Sequence, residues 1–115
     1  MTDIKSLTKR IIAFRDARDW KQFHNPKDLS LSLVLEATEV MEHFQWKSKE
    51  EIDEHVKHNK KDVAEELADV MYWVLLMSHD MKIDIAKALT KKLEKNESKY
   101  PVDKSKGSHK KYTEL

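Results

Sequence analysis

The sequence predicts an all-α protein, a four-to-five-helix antiparallel bundle whose core is completed in an oligomer, and three observations carry that expectation. One glycine and two prolines in 115 residues leave few turn or strand signals. Apolar residues recur three and four apart along successive segments, the period of a helix face. Those segments open on residues suited to cap a helix, at Asp3, Asp28, Ser48 and Asp84.

The first helix starts after Thr2 or Asp3, carries Ile4, Leu7, Ile11 and Phe14 on one stripe, and ends near Arg18 or Trp20. A loop follows, because the residue before Pro26 is biased away from helix. Its aromatics Trp20 and Phe23 either close the end of the core or wall a planar ligand. Asp28 caps the second helix, which runs to about Phe44 with Leu29, Leu33, Val40 and Phe44 on its stripe and Leu31 and Leu35 opposite. Ser48 and Glu51 form a capping-box signature for a short exposed helix. Whether it is continuous with the next helix is left open by the polar run from Lys57 to Lys61. The fourth helix covers about Asp62 to Met81, with Val63, Leu67, Val70 and Val74 on the stripe and Met71 and Leu75 facing away. Asp84 caps a last helix, marked by Ile85, Leu89 and Leu93, that Pro101 stops near Tyr100. Residues 1–101 then form the folded domain and 102–115 a flexible polar tail. Leu31, Leu35, Met71 and Leu75 are apolar patches that a second copy of the chain would cover.

Charged residues make up 37% of the chain yet nearly cancel, at a formal net charge of +1, which argues against a dedicated nucleic-acid binder. The absence of cysteine excludes a disulfide framework and every thiolate metal site. The N-terminal segment has no apolar core of signal-peptide length, and no apolar run approaches a membrane span. A cytoplasmic protein that engages neither membrane nor nucleic acid is the expectation.

Four carboxylates interrupt this helical pattern. Glu36 and Glu39 lie three apart beside the stripe of the second helix, and Glu66 and Asp69 repeat the spacing on the fourth. At about 100° per residue, Glu36, Glu39 and His43 fall within about 60° of one another along one edge of their helix. A buried carboxylate without a partner is costly, so facing pairs imply a cation between them. An all-oxygen donor set suits Mg²⁺, with Mn²⁺ as a substitute. Glu50, Glu51, Asp53 and Glu54 have similar spacing without the stripe and read as a solvated face. The competing account of the four acids is an ion-pair layer with the abundant lysines. A di-iron site would need Glu-x-x-His pairs, which the chain lacks, and the lone glycine rules out a Gly-rich phosphate loop. Phosphate would have to be held by metal and lysines.

E-x-x-E on one helix followed by E-x-x-D on the next resembles the all-α nucleotide pyrophosphohydrolases, the MazG-like and dimeric dUTPase superfamily. The segments FRDARDWKQFH (14–24), FQWK (44–47), EELADV (65–70), KYP (99–101) and KYTEL (111–115) are similar to those of its dCTP pyrophosphatase branch. The resemblance implies that Glu36, Glu39, Glu66 and Asp69 hold Mg²⁺. It further implies that Trp20, His24, Trp46 and Trp73 surround the base, that Lys92, Asn96, Lys99 and Tyr100 approach the phosphates, and that the chain is a dimer or tetramer. Trp73 stands where that branch has tyrosine, and Ile11 where it has a histidine. The expected activity is Mg²⁺-dependent conversion of a deoxynucleoside triphosphate, dCTP or a modified dCTP foremost, to monophosphate and pyrophosphate. It would serve removal of excess or damaged nucleotides, with Glu36 or Glu39 taking the proton of the attacking water. A non-catalytic helical interaction module is the alternative.

Overall fold

The computed structural model of the protein describes residues 2–115, which contain helices and no strand. In order these are α1 (Ile4–Ala17), a 3-10 turn (Lys21–Phe23), α2 (Pro26–Glu42), α3 (Lys49–His58), α4 (Lys60–Asp80), α5 (Ile85–Lys99), α6 (Val102–Ser105) and a last 3-10 turn (Tyr112–Glu114). They fall into two compact units, the first ending at Lys82 and the second running Ile83–Leu115.

Asp3 caps α1 as expected: its Oδ1 accepts from Ser6 N at 2.7 Å, and Ser6 Oγ accepts from Asp3 N at 3.1 Å. The start of α2 differs from expectation. Its cap is Asn25, not Asp28: Asn25 is extended and its Oδ1 accepts from Asp28 N at 2.9 Å. Pro26 does not belong to the loop but is the first helical residue, since its fixed φ suits that position while it forces the residue before it to be extended. Asp28 instead completes the cap, accepting from Asn25 Nδ2 at 2.7 Å. α2 also stops at Glu42, two residues short of Phe44.

The reciprocal cap between Ser48 and Glu51 opens α3 as predicted. At Asn59 (φ −122°, ψ 25°) the chain leaves helical geometry, so α3 and α4 are two helices. α4 is the spine of the first unit: α2 packs most extensively along it, and α1 and α3 also lie against it. Leu29 on α2 and Leu75 and Leu76 on α4 are the buried apolar residues among the described ones, all below 4% exposed. Leu75 thus faces inward, contrary to the stripe; because α1 as well as α2 covers α4, more of its circumference is buried than the stripe alone indicates. Leu31, Leu35 and Met71 are exposed, as predicted, and so are Trp20 and Phe23, which therefore do not close a core.

In the second unit Asp84 Oδ1 accepts from Lys87 N at 3.1 Å and starts α5, which ends before Pro101. The segment beyond it includes α6, and Tyr112 there meets the Tyr100 ring edge-on at 6.0 Å. None of the described helices is long and apolar enough to cross a membrane.

Candidate active site

Helical periodicity places Glu36 above Glu39 on α2 and Glu66 above Asp69 on α4, and the packing of α2 along α4 brings the two pairs together. One carboxylate oxygen from each of the four lies within 4.8 Å of the other three. Glu36 and Glu66 are half-buried, and Oε2 of each is a buried oxygen with no hydrogen-bond partner. Buried polar atoms are nearly always satisfied, so two orphans in one cluster mark a missing partner that must be positive or a donor. The electrostatics agree. Burial raises the Glu36 carboxyl above its ordinary value, helped by Glu39 and Asp69 and opposed by a bond from Trp73. Glu66 is pushed up to about 7, chiefly because Glu39 lies close enough to share its proton, then by burial and by the charges of Glu39, Asp69 and Glu36. No lysine or arginine pairs with the four among the described residues, so the ion-pair layer finds no support. The donor set and its orphaned oxygens fit a hard divalent cation.

Two cavities flank the quartet and divide it. Glu36 and Asp69 line an aromatic cavity of about 590 Å³ whose walls include Phe14, Trp20, Tyr72 and Trp73. Tyr72 meets Trp73 edge-on at 5.1 Å and Phe14 at 6.4 Å, while Phe14 meets Trp20 at 5.7 Å. Glu39 and Glu66 line a polar cavity of about 420 Å³ with Glu42, His43, Lys47 and His55. There His43 Nδ1 lies 2.8 Å from His55 Nε2, and Asn59 Nδ2 is 3.3 Å from His55 Nδ1. With the Asn59 amide donating, His55 donates in turn to His43, which then carries its proton on Nε2.

The residues expected around the base divide between different places. Trp20 and Trp73 line the aromatic cavity. His24 supports it from behind, meeting the Trp73 ring edge-on at 5.8 Å, but lines a separate cavity of about 430 Å³ beside Lys21, His79, Asp80 and Lys82. Burial and then the Arg15 charge push its imidazole down toward neutrality, and Nδ1 is buried without a partner. Trp46 is 92% exposed at a positive φ of 67° and is not among the residues lining the aromatic cavity. Lys92, Asn96, Lys99 and Tyr100 belong to the second unit, on α5 and at its C-cap. Sequence reasoning missed Arg10, Tyr72 and the His43–His55 pair. For Arg10 a signal existed, a cation set between Leu7, Ile11 and Phe14 on the apolar face of the first helix; the histidine pair joins the C-cap of α2 to α3 across 12 positions and left none.

A model of the MazG-like family matches residues 31–115. The chain is 40% identical over 104 residues to dCTP pyrophosphatase 1 of Rattus norvegicus and 36% identical over 104 residues to that of Homo sapiens. Each alignment covers 89% of this chain but 61% of the relative, so the chain spans less than two thirds of the length of these proteins. The solved structure of a pyrophosphatase from Archaeoglobus fulgidus superposes with a TM-score of 0.82 at 37% identity, covering 88% of this chain and 94% of that one. The family match contains both acidic pairs, and the archaeal structure is covered almost end to end at an identity well above chance: this chain belongs to the MazG-like family.

Proposed function

We propose that the protein is a Mg²⁺-dependent nucleoside triphosphate pyrophosphohydrolase that converts deoxynucleoside triphosphates, with dCTP or a modified dCTP favoured, to monophosphate and pyrophosphate, clearing unwanted nucleotides. The observation that carries this reading is the division of the carboxylate quartet between an aromatic and a polar cavity. A nucleotide has the same polarity, a flat π-faced base at one end and a chain of charged oxygens at the other. The base stacks in the cavity of Trp20 and Trp73, and the phosphates cross the quartet toward the polar cavity that Lys47 and His43 line. The relatives named for dCTP pyrophosphatase activity support the substrate class.

Glu36, Glu39, Glu66 and Asp69 are the residues that would hold the metal. When bound there, Mg²⁺, or Mn²⁺ in its place, would offset the negative charge of the carboxylates and phosphates and would lower the pKa of a water. Glu36 or Glu39 takes the proton of the attacking water. Lys92, Asn96, Lys99 and Tyr100 remain the phosphate-contacting candidates of the second unit. We assign the fold as a four-to-five-helix antiparallel bundle completed by further copies of the chain, as a dimer or tetramer, because only three apolar side chains are buried among the described residues.

Pyrophosphate release measured across a deoxynucleotide panel with and without Mg²⁺ tests the reading. Release from dCTP is expected only with the metal, and Glu36→Gln, Glu39→Gln and Asp69→Asn should each lower turnover by orders of magnitude with helicity intact. Full activity in all three variants overturns the site. Mg²⁺ without effect on either turnover or melting temperature would favour a non-catalytic module instead.

A further inference from the structure

Among the side chains that line the aromatic cavity, one can neither hold a metal nor serve as apolar or aromatic wall. Arg10 is the one basic side chain among the described residues that line it. The chain has three arginines, and the other two are engaged. Arg15 donates to Asp80 at 2.7 Å, and Arg18 donates to the Phe14 carbonyl at 2.9 Å with its guanidinium 3.8 Å from the centre of the Phe14 ring. Arg10 takes part in no ion pair among the described residues, although two carboxylates, Glu36 and Asp69, line the same cavity. It projects from the face of α1 that also carries Ile11 and Phe14, so a lining otherwise apolar, aromatic and, at Glu36 and Asp69, acidic includes one guanidinium with no ion-pair partner.

A guanidinium presents parallel N–H groups and no acceptor, and it matches two acceptors set side by side. Cytosine offers such a pair on its pairing edge, O2 next to the unprotonated N3. Uracil and thymine have the same O2, but their N3 carries hydrogen and would face the guanidinium donor to donor. We infer that Arg10 reads the base edge, donating to O2 and N3 of a cytosine stacked in the aromatic cavity, and that it sets the preference for cytosine over uracil and thymine. The inference rests on the reading that this cavity receives the base of a triphosphate. It gives base identity to a side chain on α1, whereas His24, one of the four residues that the family resemblance sets around the base, lines a different cavity.

The test compares parent, Arg10→Gln and Arg10→Lys on dCTP and dUTP, which differ in the base only at C4 and N3. The same proteins are titrated with dCMP and dUMP by tryptophan fluorescence, a readout independent of hydrolysis. Arg10 is exposed on a helix and glutamine and lysine are good helix formers, so circular dichroism should be unchanged. The parent should favour dCTP, and Arg10→Gln should lower the dCTP:dUTP ratio of kcat/KM by about 5- to 150-fold, the discrimination of a good bidentate base contact. Arg10→Lys should lose nearly as much, because it keeps the charge without the fork. Equal losses on both nucleotides in Arg10→Gln would make Arg10 a phosphate contact and overturn the inference, as would a ratio restored by lysine or a parent without preference. If the parent binds dCMP over dUMP through Arg10 yet hydrolyses no triphosphate, the proposed activity fails and the base-reading role stands. Hydrolysis with a ratio indifferent to Arg10 upholds the proposed activity and overturns the base-reading role.

Discussion

Arg15 Nη1 donates to Asp80 Oδ2 at 2.7 Å, tying the last turn of α1 to the last residue of α4 behind the wall that carries Trp73. The arginine side chain is 1% exposed and the aspartate 22%. Asp80→Ala leaves a guanidinium buried with only the longer 3.3 Å contact to Asp16, and it should cost about 3 kcal/mol, the lower end for a broken buried pair. Urea unfolding checks this; an unchanged midpoint would show the pair to be dispensable.

The proton shared within the quartet predicts how the metal-free protein responds to pH. The Glu66 carboxyl stands at about 7 in the folded chain against 4.5 for an unperturbed glutamate, so between those values the folded state holds a proton that the unfolded chain releases. Its stabilising effect is complete below 4.5 and lost as pH rises through 7. His24 and His55, both shifted down mainly by burial, act with the opposite sign over part of that range, and comparison with Glu66→Gln cancels them. In chelator the melting temperature of Glu66→Gln relative to the parent should therefore increase from pH 5 to pH 8. A difference that stays flat or shrinks contradicts the shared proton. Mg²⁺ should stabilise the parent more at the alkaline end, because cation and proton compete for the same oxygens.

Trp46 sets stability against binding. A bulky residue at φ 67° carries a penalty of about 1 to 2 kcal/mol that glycine escapes, and the side chain is too exposed to offset it by packing. Trp46→Gly should leave the melting temperature no lower than the parent's. If the residue stacks on the base, the same change should weaken dCTP binding in Ca²⁺ by about 5- to 150-fold. Unchanged affinity would remove Trp46 from the base site.

Leu31 and Leu35 on α2 are 54% and 65% exposed, an apolar face that a second copy would cover. Light scattering at micromolar concentration should return at least twice the 13.6 kDa of the chain, and Leu35→Lys should reduce the mass. A monomeric parent would require another partner for that face.

What the sequence by itself determined lies within about four residues along the chain. The Asp3, Ser48 and Asp84 caps are hydrogen bonds between residues three apart, and the spacing of Glu36 with Glu39 and of Glu66 with Asp69 follows from the helical repeat. The cap at Asn25 is equally local, but Pro26 obscures it, because proline signals the end of one helix as readily as the first turn of another. Tertiary structure decided the rest. Leu75 is buried because α1 also covers α4, His43 meets His55 across a helix boundary, and Arg10 shares a cavity with Trp73 although 63 positions separate them. Trp20 and Trp73 line that cavity while Trp46 is exposed elsewhere, a distinction no spacing carries. Helix periodicity fixes which residues share a face, but which faces meet depends on how α1 and α2 pack on α4, where burial is gained by contacts between residues far apart in the chain.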